Sequence, residues 1–174
     1  MAPFREAHRL KPDDARTRAA LAGRLNNLAW ALATHTEPAR RDPGRAVSMA
    51  KEAVERAPNS ELAWQYLGWI HYRTGNWKPS IEALEKSCKL QAGGTGDAGQ
   101  WIVLALAHAK LAAQEDLPEK DRKHHKAEAR RRYEQADKQI DSWWRIRPGD
   151  VMGQATWDFR IEARETMAAN DSKK

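Results

Sequence analysis

Cysteine is nearly absent from this chain: Cys88 is the only one, which excludes an internal disulfide and a cysteine-built zinc site. A single thiol on the apolar face of a helical stretch reads as packing rather than as a reactive group. Long apolar runs are missing too. The longest falls far short of the ~20 residues a membrane span requires, and residues 1–10 carry charges where a secretory leader carries an apolar core. A soluble, cytoplasmic chain with no membrane partner is expected. No stretch alternates apolar and polar residues with β-branched enrichment, which argues against a sheet. Glycine and proline are few and clustered, at 38–44, Pro58, Gly75, 93–96, Pro118 and 148–149, and the stretches between them are rich in Ala, Leu, Glu, Lys and Arg. Such spacing is that of helices separated by turns. Signatures of chemistry are lacking as well. Ser48, Ser80, Ser87 and His71 stand without a nucleophile elbow or metal motif, and Gly93-Gly94-Thr95-Gly96 has no strand before it and no Lys-Ser or Lys-Thr pair after it. The sequence therefore points to no enzyme, no catalytic residue, no metal and no cofactor.

What is present is an apolar share of 41%, enough for a core in 174 residues, and a net charge of +6 that leaves room for an acidic partner. Tryptophan is abundant, with eight residues against five Phe and Tyr, so the architecture uses large planar side chains. The clearest unit covers 61–92. Trp64, Leu67, Gly68, His71 and Tyr72 mark a first helix, Gly75-Asn76-Trp77 a turn, and Ser80, Leu84, Ser87 and Leu90 a second helix. Gly68 lets the two helices approach closely, Trp64 and Trp77 fill the space above and below the crossing, and Pro79 sits in a first turn where its missing N–H costs little.

This hairpin repeats. Ala46, Ala50, Ala53 and Pro58 precede Ser80, Leu84, Ser87 and Ala92 by 34 residues. The preceding first helix, 25–30, matches 64–69 at a spacing of 39, which places an insertion in the turn at 36–41. A third hairpin starts at 101–106 and returns through Ala129, Tyr133, Ala136 and Ile140, with a long charged loop expected over 114–125. Phe4, Ala7, Leu10 and Pro12 repeat the spacing of Ala50, Ala53, Arg56 and Pro58. The expected organisation is a partial repeat or N-terminal helix at 1–12, and a first hairpin over 13–60 with an extended first helix. A second hairpin over 61–92 and a divergent third over 97–147 follow. A capping helix over 150–168, carrying Trp157, Ile161 and Met167, covers the last hairpin, and 169–174 forms a disordered tail.

Trp64, Leu67-Gly68, Tyr72, Gly75, Ile81, Ala83-Leu84 and Leu90 together resemble the tetratricopeptide-repeat (TPR) family, strongly over 25–91 and less so over 101–144. More narrowly, LNNLAWALA, RDPGRAVSMAKEAVERAP, WQYLGWIHYRTGNWKPSIEALEKS and FRIEARE are similar to TPR segments of large planctomycete-type bacterial proteins. Many of those also carry a serine/threonine kinase domain, of which this sequence has no motif. Ser80 and Ser87 stand where the family usually has alanine, and Ala92 replaces its usual proline. The resemblance implies an all-α fold, a right-handed α-α solenoid of about three hairpins with a C-terminal capping helix. Its concave surface, lined by the first helix of each hairpin, would bind a peptide or helix of a protein partner.

Projection at ~100° per residue places Asn26 and Trp30, Gln65 and Trp69, and Ile102 and Leu106 on the groove side of their hairpins, with Tyr72 beside them. Trp64 and Trp101 share the face of Leu67 and Leu104 and read as packing residues. Trp30 and Trp69 serve either as groove anchors or as packing against a neighbouring hairpin or the terminal helix. An apolar, aromatic groove does not suit the acidic chaperone tails that some TPR proteins grip. Lys123, Lys126, Arg130 and Arg131 form a candidate basic patch within a run that also holds Lys120, Arg122 and Arg132, but Glu119, Asp121 and Glu128 are interleaved, which favours a solvated face. Adjacent His124 and His125 point ~100° apart on a helix and do not form the pair a metal needs. Beside the scaffold reading stand two others: a basic-surface nucleic-acid-binding module and a self-assembling homo-oligomer.

Overall fold

The computed structural model describes residues 15–144 and 151–171. Among them are seven α-helices and no strand: α1 (Ala15–Thr34), α2 (Pro43–Arg56), α3 (Glu61–Arg73), α4 (Trp77–Leu90), α5 (Ala98–Ala112), α6 (Glu119–Trp144) and α7 (Val151–Asp171). The fold is all-α. Helices pair in chain order, α1 with α2, α3 with α4 and α5 with α6, and α1, α3 and α5 also touch in succession. None of the described helices is long and apolar enough to cross a membrane.

Local chemistry sets the boundaries. The α1–α2 connection holds a short 3-10 turn, Pro38–Arg40, at the place of the expected insertion. Asp42 then caps α2 by accepting from the Arg45 N–H at 2.9 Å, with Pro43 in the first turn. Ser60 caps α3, and Gly75, at φ 79°, closes the α3–α4 turn in the left-handed region. Asp97 and Gln100 form a reciprocal capping box at the start of α5.

Where α3 crosses α4, a Cβ on Gly68 would lie 2.5 Å from Leu84 Cγ, so only glycine admits this approach. Ser80 and Ser87 are both fully buried and bonded. Ser80 Oγ donates to the Gly68 carbonyl at 2.8 Å, and Ser87 Oγ donates to the Glu61 carbonyl at 2.7 Å while accepting from Gln100 Nε2 at 2.7 Å. They tie α4 to α3 and to α5. Trp64 and Trp101 are half-buried and brace the loops that precede them: each indole N–H donates to a carbonyl six residues earlier, of Pro58 at 2.8 Å and of Thr95 at 2.9 Å. The two bonds share one geometry.

The core falls into two apolar clusters. An alanine-rich one, with Ala29, Ala46, Ala50, Ala63, Leu67 and Ile70, joins the first two hairpins. The other gathers Trp69, Tyr72, Leu84, Ile102, Leu106, Ile140 and Phe159 around α5, which is buried along nearly its whole length. Trp30 touches both.

Two expectations change. The charged loop expected over 114–125 is mostly helix, because α6 starts at Glu119 and only 113–118 connect it to α5. Glu119 and Asp121 lie in the favourable first turn, and Glu119 pairs with Arg122 at 2.6 Å and Lys123 at 3.4 Å, so the charges stabilise the helix that their density concealed. The terminal helix runs through Asp171, so 169–171 are helical rather than a disordered tail; 172–174 lie outside the described residues, as does the expected half repeat at 1–12. On this helix the buried face is not the one that holds Ile161. Phe159 and Ala163 are inside while Ile161 is 48% exposed.

Candidate functional site

The groove positions converge, but they do not face an open groove. α7 lies against α5 and α6 and inserts Phe159, 0% exposed, among side chains from α1 and α3. Its ring meets Trp30 at 6.1 Å, Trp69 at 5.6 Å and Tyr72 at 5.9 Å between centroids, all edge-on, and Trp30 and Trp69 meet each other at 5.7 Å. Edge-to-face contact sets the positive rim of one ring against the negative face of another, adding about 0.5–1.5 kcal/mol per pair beyond area burial.

Charge fixes the register of α7. Glu162 accepts from the Tyr72 hydroxyl and pairs with Arg73 Nη1 at 2.7 Å, while the Arg73 guanidinium stacks 4.3 Å from the Phe159 ring centroid. Burial, and then the Glu162 carboxylate, push the Tyr72 phenol far above its ordinary range, so it stays a donor. On the other side of the helix, buried Arg160 bonds Asp137 of α6 at 2.7 Å.

Each groove candidate therefore has a place. Trp69 does two things, packing on Phe159 and donating its N–H to the Gly99 carbonyl of α5 at 3.2 Å. Gln65 lies beside it at the same α3–α5 approach, where a Cβ on Gly99 would come 3.1 Å from Gln65 Nε2. Ile102 and Leu106 are fully buried in the Phe159 cluster. Asn26 is buried on α1, and its Oδ1 has no hydrogen-bond partner among the described residues. The exposed-groove expectation is thus corrected: Trp30, Trp69, Tyr72, Ile102 and Leu106 are packed beneath or beside α7. Sequence reasoning missed Phe159 and Glu162. The signal was the helical spacing of Thr156, Phe159, Arg160 and Ala163, all buried, which marks the inward face of α7.

The basic patch divides. Lys123, Lys126 and Arg130 line one cleft of about 380 Å³ with Ala109, Ala112, Ala127, Ala129 and Met167, between α5, α6 and α7. Arg131 belongs elsewhere, bonded through Nη2 to Glu128 at 2.6 Å. Beside this cleft, His108 of α5 meets His125 of α6 with their Nδ1 atoms 2.8 Å apart, and the His124 ring lies 5.5 Å from that of His125. One Nδ1 must carry the proton and the other accept it. Burial first, then the His125 charge, hold His108 down to about 4. No group of three or more His, Cys, Asp or Glu among the described residues is placed to hold a metal ion. Cys88 is buried, which pushes its thiol up to about 11 and leaves it unreactive.

No protein-family model matches the chain. No curated protein matches it either.

Proposed function

We propose that the chain is a non-catalytic scaffold of the tetratricopeptide kind, which holds a helix of a protein partner on the face lined by α1, α3 and α5. One observation carries this reading: that face already holds a helix, α7, through a single aromatic anchor and a neighbouring carboxylate. Phe159 fills the space between Trp30, Trp69 and Tyr72, and Glu162 answers Tyr72 and Arg73. The arrangement is that of helix-in-groove recognition, in which side chains three and four apart anchor an amphipathic helix. A partner helix with an aromatic residue and an acidic residue three positions later reads the same features and competes with α7. The pairing of α1 with α2, α3 with α4 and α5 with α6, and the loop-bracing bonds of Trp64 and Trp101, support the repeat architecture on which the reading rests.

The test is capture of protein partners by the wild-type chain beside Glu162→Lys, which sets a cation against Arg73 and loosens α7 without emptying the core. Greater capture by the variant, lost when a peptide of residues 151–171 is added, supports the reading. Equal capture by both, untouched by the peptide, moves recognition away from this face.

Self-assembly is favoured by a separate observation. Leu21 and Leu28, two helical turns apart on α1, are 38% and 55% exposed. Leu28→Lys then converts a concentration-dependent dimer to a monomer in sedimentation equilibrium; a wild-type chain that is monomeric at high concentration removes this reading.

A further inference from the structure

The cleft between α5, α6 and α7 owes its depth to small side chains. Ala109 and Ala112 on α5 face Ala127 and Ala129 on α6, and none of the four fills the space between the helices, which Met167 of α7 borders on the third side. At about 380 Å³ it lies at the lower end of the range for small-ligand pockets, too small for a helix and suited to one short apolar chain. A flexible thioether wall adapts to such a chain more readily than a branched one.

The rim has one sign. Lys123, Lys126 and Arg130 follow one another at helical spacing along the cleft. Lys123 and Arg130 are held weakly by their nearby carboxylates: Glu119 sits 3.4 Å from Lys123 and Glu134 sits 3.8 Å from Arg130, in pairs whose side chains are mostly exposed. Exposed pairs of this kind contribute little and exchange readily for another anion. Lys123, Lys126 and Ala112 also border a second, more polar recess of about 450 Å³ that holds Glu115, Glu119 and Arg122. Its two carboxylates make that recess less favourable to an anion than the first cleft, whose lining has none. A head group at Lys123 and Arg130 therefore directs its apolar body towards the alanines and Met167.

From this juxtaposition of an alanine floor, a methionine wall and a three-cation rim, we infer that the α5–α6–α7 cleft is a binding site for a small amphipathic anion, a short apolar chain ending in a carboxylate or phosphate monoester. The ligand neutralises part of the rim and buries its chain; no covalent step is involved. The cleft shares α7 with the Phe159 face through Met167 but uses none of the residues around Phe159, so its test on the isolated chain does not depend on a partner binding there.

Isothermal titration of the full chain with octanoate, octyl phosphate and octanol tests it, with sedimentation against anionic phospholipid vesicles as a fourth arm. The expected result is saturable one-to-one binding of octanoate or octyl phosphate, at least about tenfold tighter than octanol and weakened by salt. Lys123→Gln with Arg130→Gln reduces anion affinity by about tenfold or more, and Ala127→Trp, an exposed substitution that fills the cleft, abolishes binding with the circular dichroism unchanged. Octanol binding as tightly as octanoate, full binding by Ala127→Trp, or no saturable binding of either anion overturns the assignment. Vesicle binding without binding of either free anion overturns it too, by making the rim a membrane-surface patch.

Discussion

Gly68 and Leu84 set the closest approach of α3 to α4, and neither can change freely. Gly68→Ala forces its Cβ into Leu84 and is expected to cost about 1–3 kcal/mol by overpacking, read as a lower urea midpoint with an unchanged slope. Ser87→Ala removes a hydroxyl that serves two elements and leaves the buried Gln100 Nε2 without that acceptor. It should cost about 1–3 kcal/mol, more than alanine at an exposed serine such as Ser48. The His108–His125 pair makes stability depend on pH. His108 titrates at about 4 in the folded chain against 6.5 in its absence, so between those values the unfolded chain binds more protons. Stability is full above pH 6.5, falls as the pH drops and levels off below about 4. Burial, His124 and Arg132 work against the charged ring, Glu128 favours it, and Asp121 and Lys78 act in opposite senses on His125. Urea midpoints measured between about pH 7 and pH 5 should decline, and His108→Gln should flatten part of that slope.

Among the elements, α7 is anchored by Phe159, one of the largest fully buried side chains. Phe159→Ala empties a fully buried site ringed by Trp30, Trp69 and Tyr72 and is expected to cost about 3–5 kcal/mol, with loss of near-ultraviolet circular dichroism from those rings. The hairpins were legible in the sequence because their signals are local. The spacing of Ala46, Ala50 and Ala53, the glycine at 68 and the turn at Gly75 each report a helix face or a helix end. The start of α6 was hidden, because a dense run of charges of both signs resembles a loop until its i, i+3 and i, i+4 pairs are counted. The inward face of α7 was hidden for another reason. Ile161 is as apolar as any residue on this helix and yet is exposed, while Arg160, buried against Asp137, reads from sequence as a surface residue.

At the scale of the molecule, the face formed by α1, α3 and α5 was legible and the terminal helix was among the neighbours named for Trp30 and Trp69, but its anchor was not legible, since Phe159 lies 90 residues beyond Trp69 and no local pattern links the two. The occupant sets how the molecule responds to a competitor. Held in the same chain, α7 acts at an effective concentration on the order of millimolar, so a free helix at micromolar concentration does not displace it. Weakening its charged contact changes that balance. The decisive measurement is fluorescence anisotropy of a labelled peptide of residues 151–171, titrated with the wild-type chain and with Glu162→Lys. If α7 occupies a helix-binding face, the peptide, carrying its native Glu162, binds the variant at least about tenfold more tightly than the wild type, and a peptide with Phe159→Ala binds neither. Equal affinity for the two chains, or binding that survives loss of the phenylalanine, would mean that α7 is a fixed part of the core and that recognition lies elsewhere.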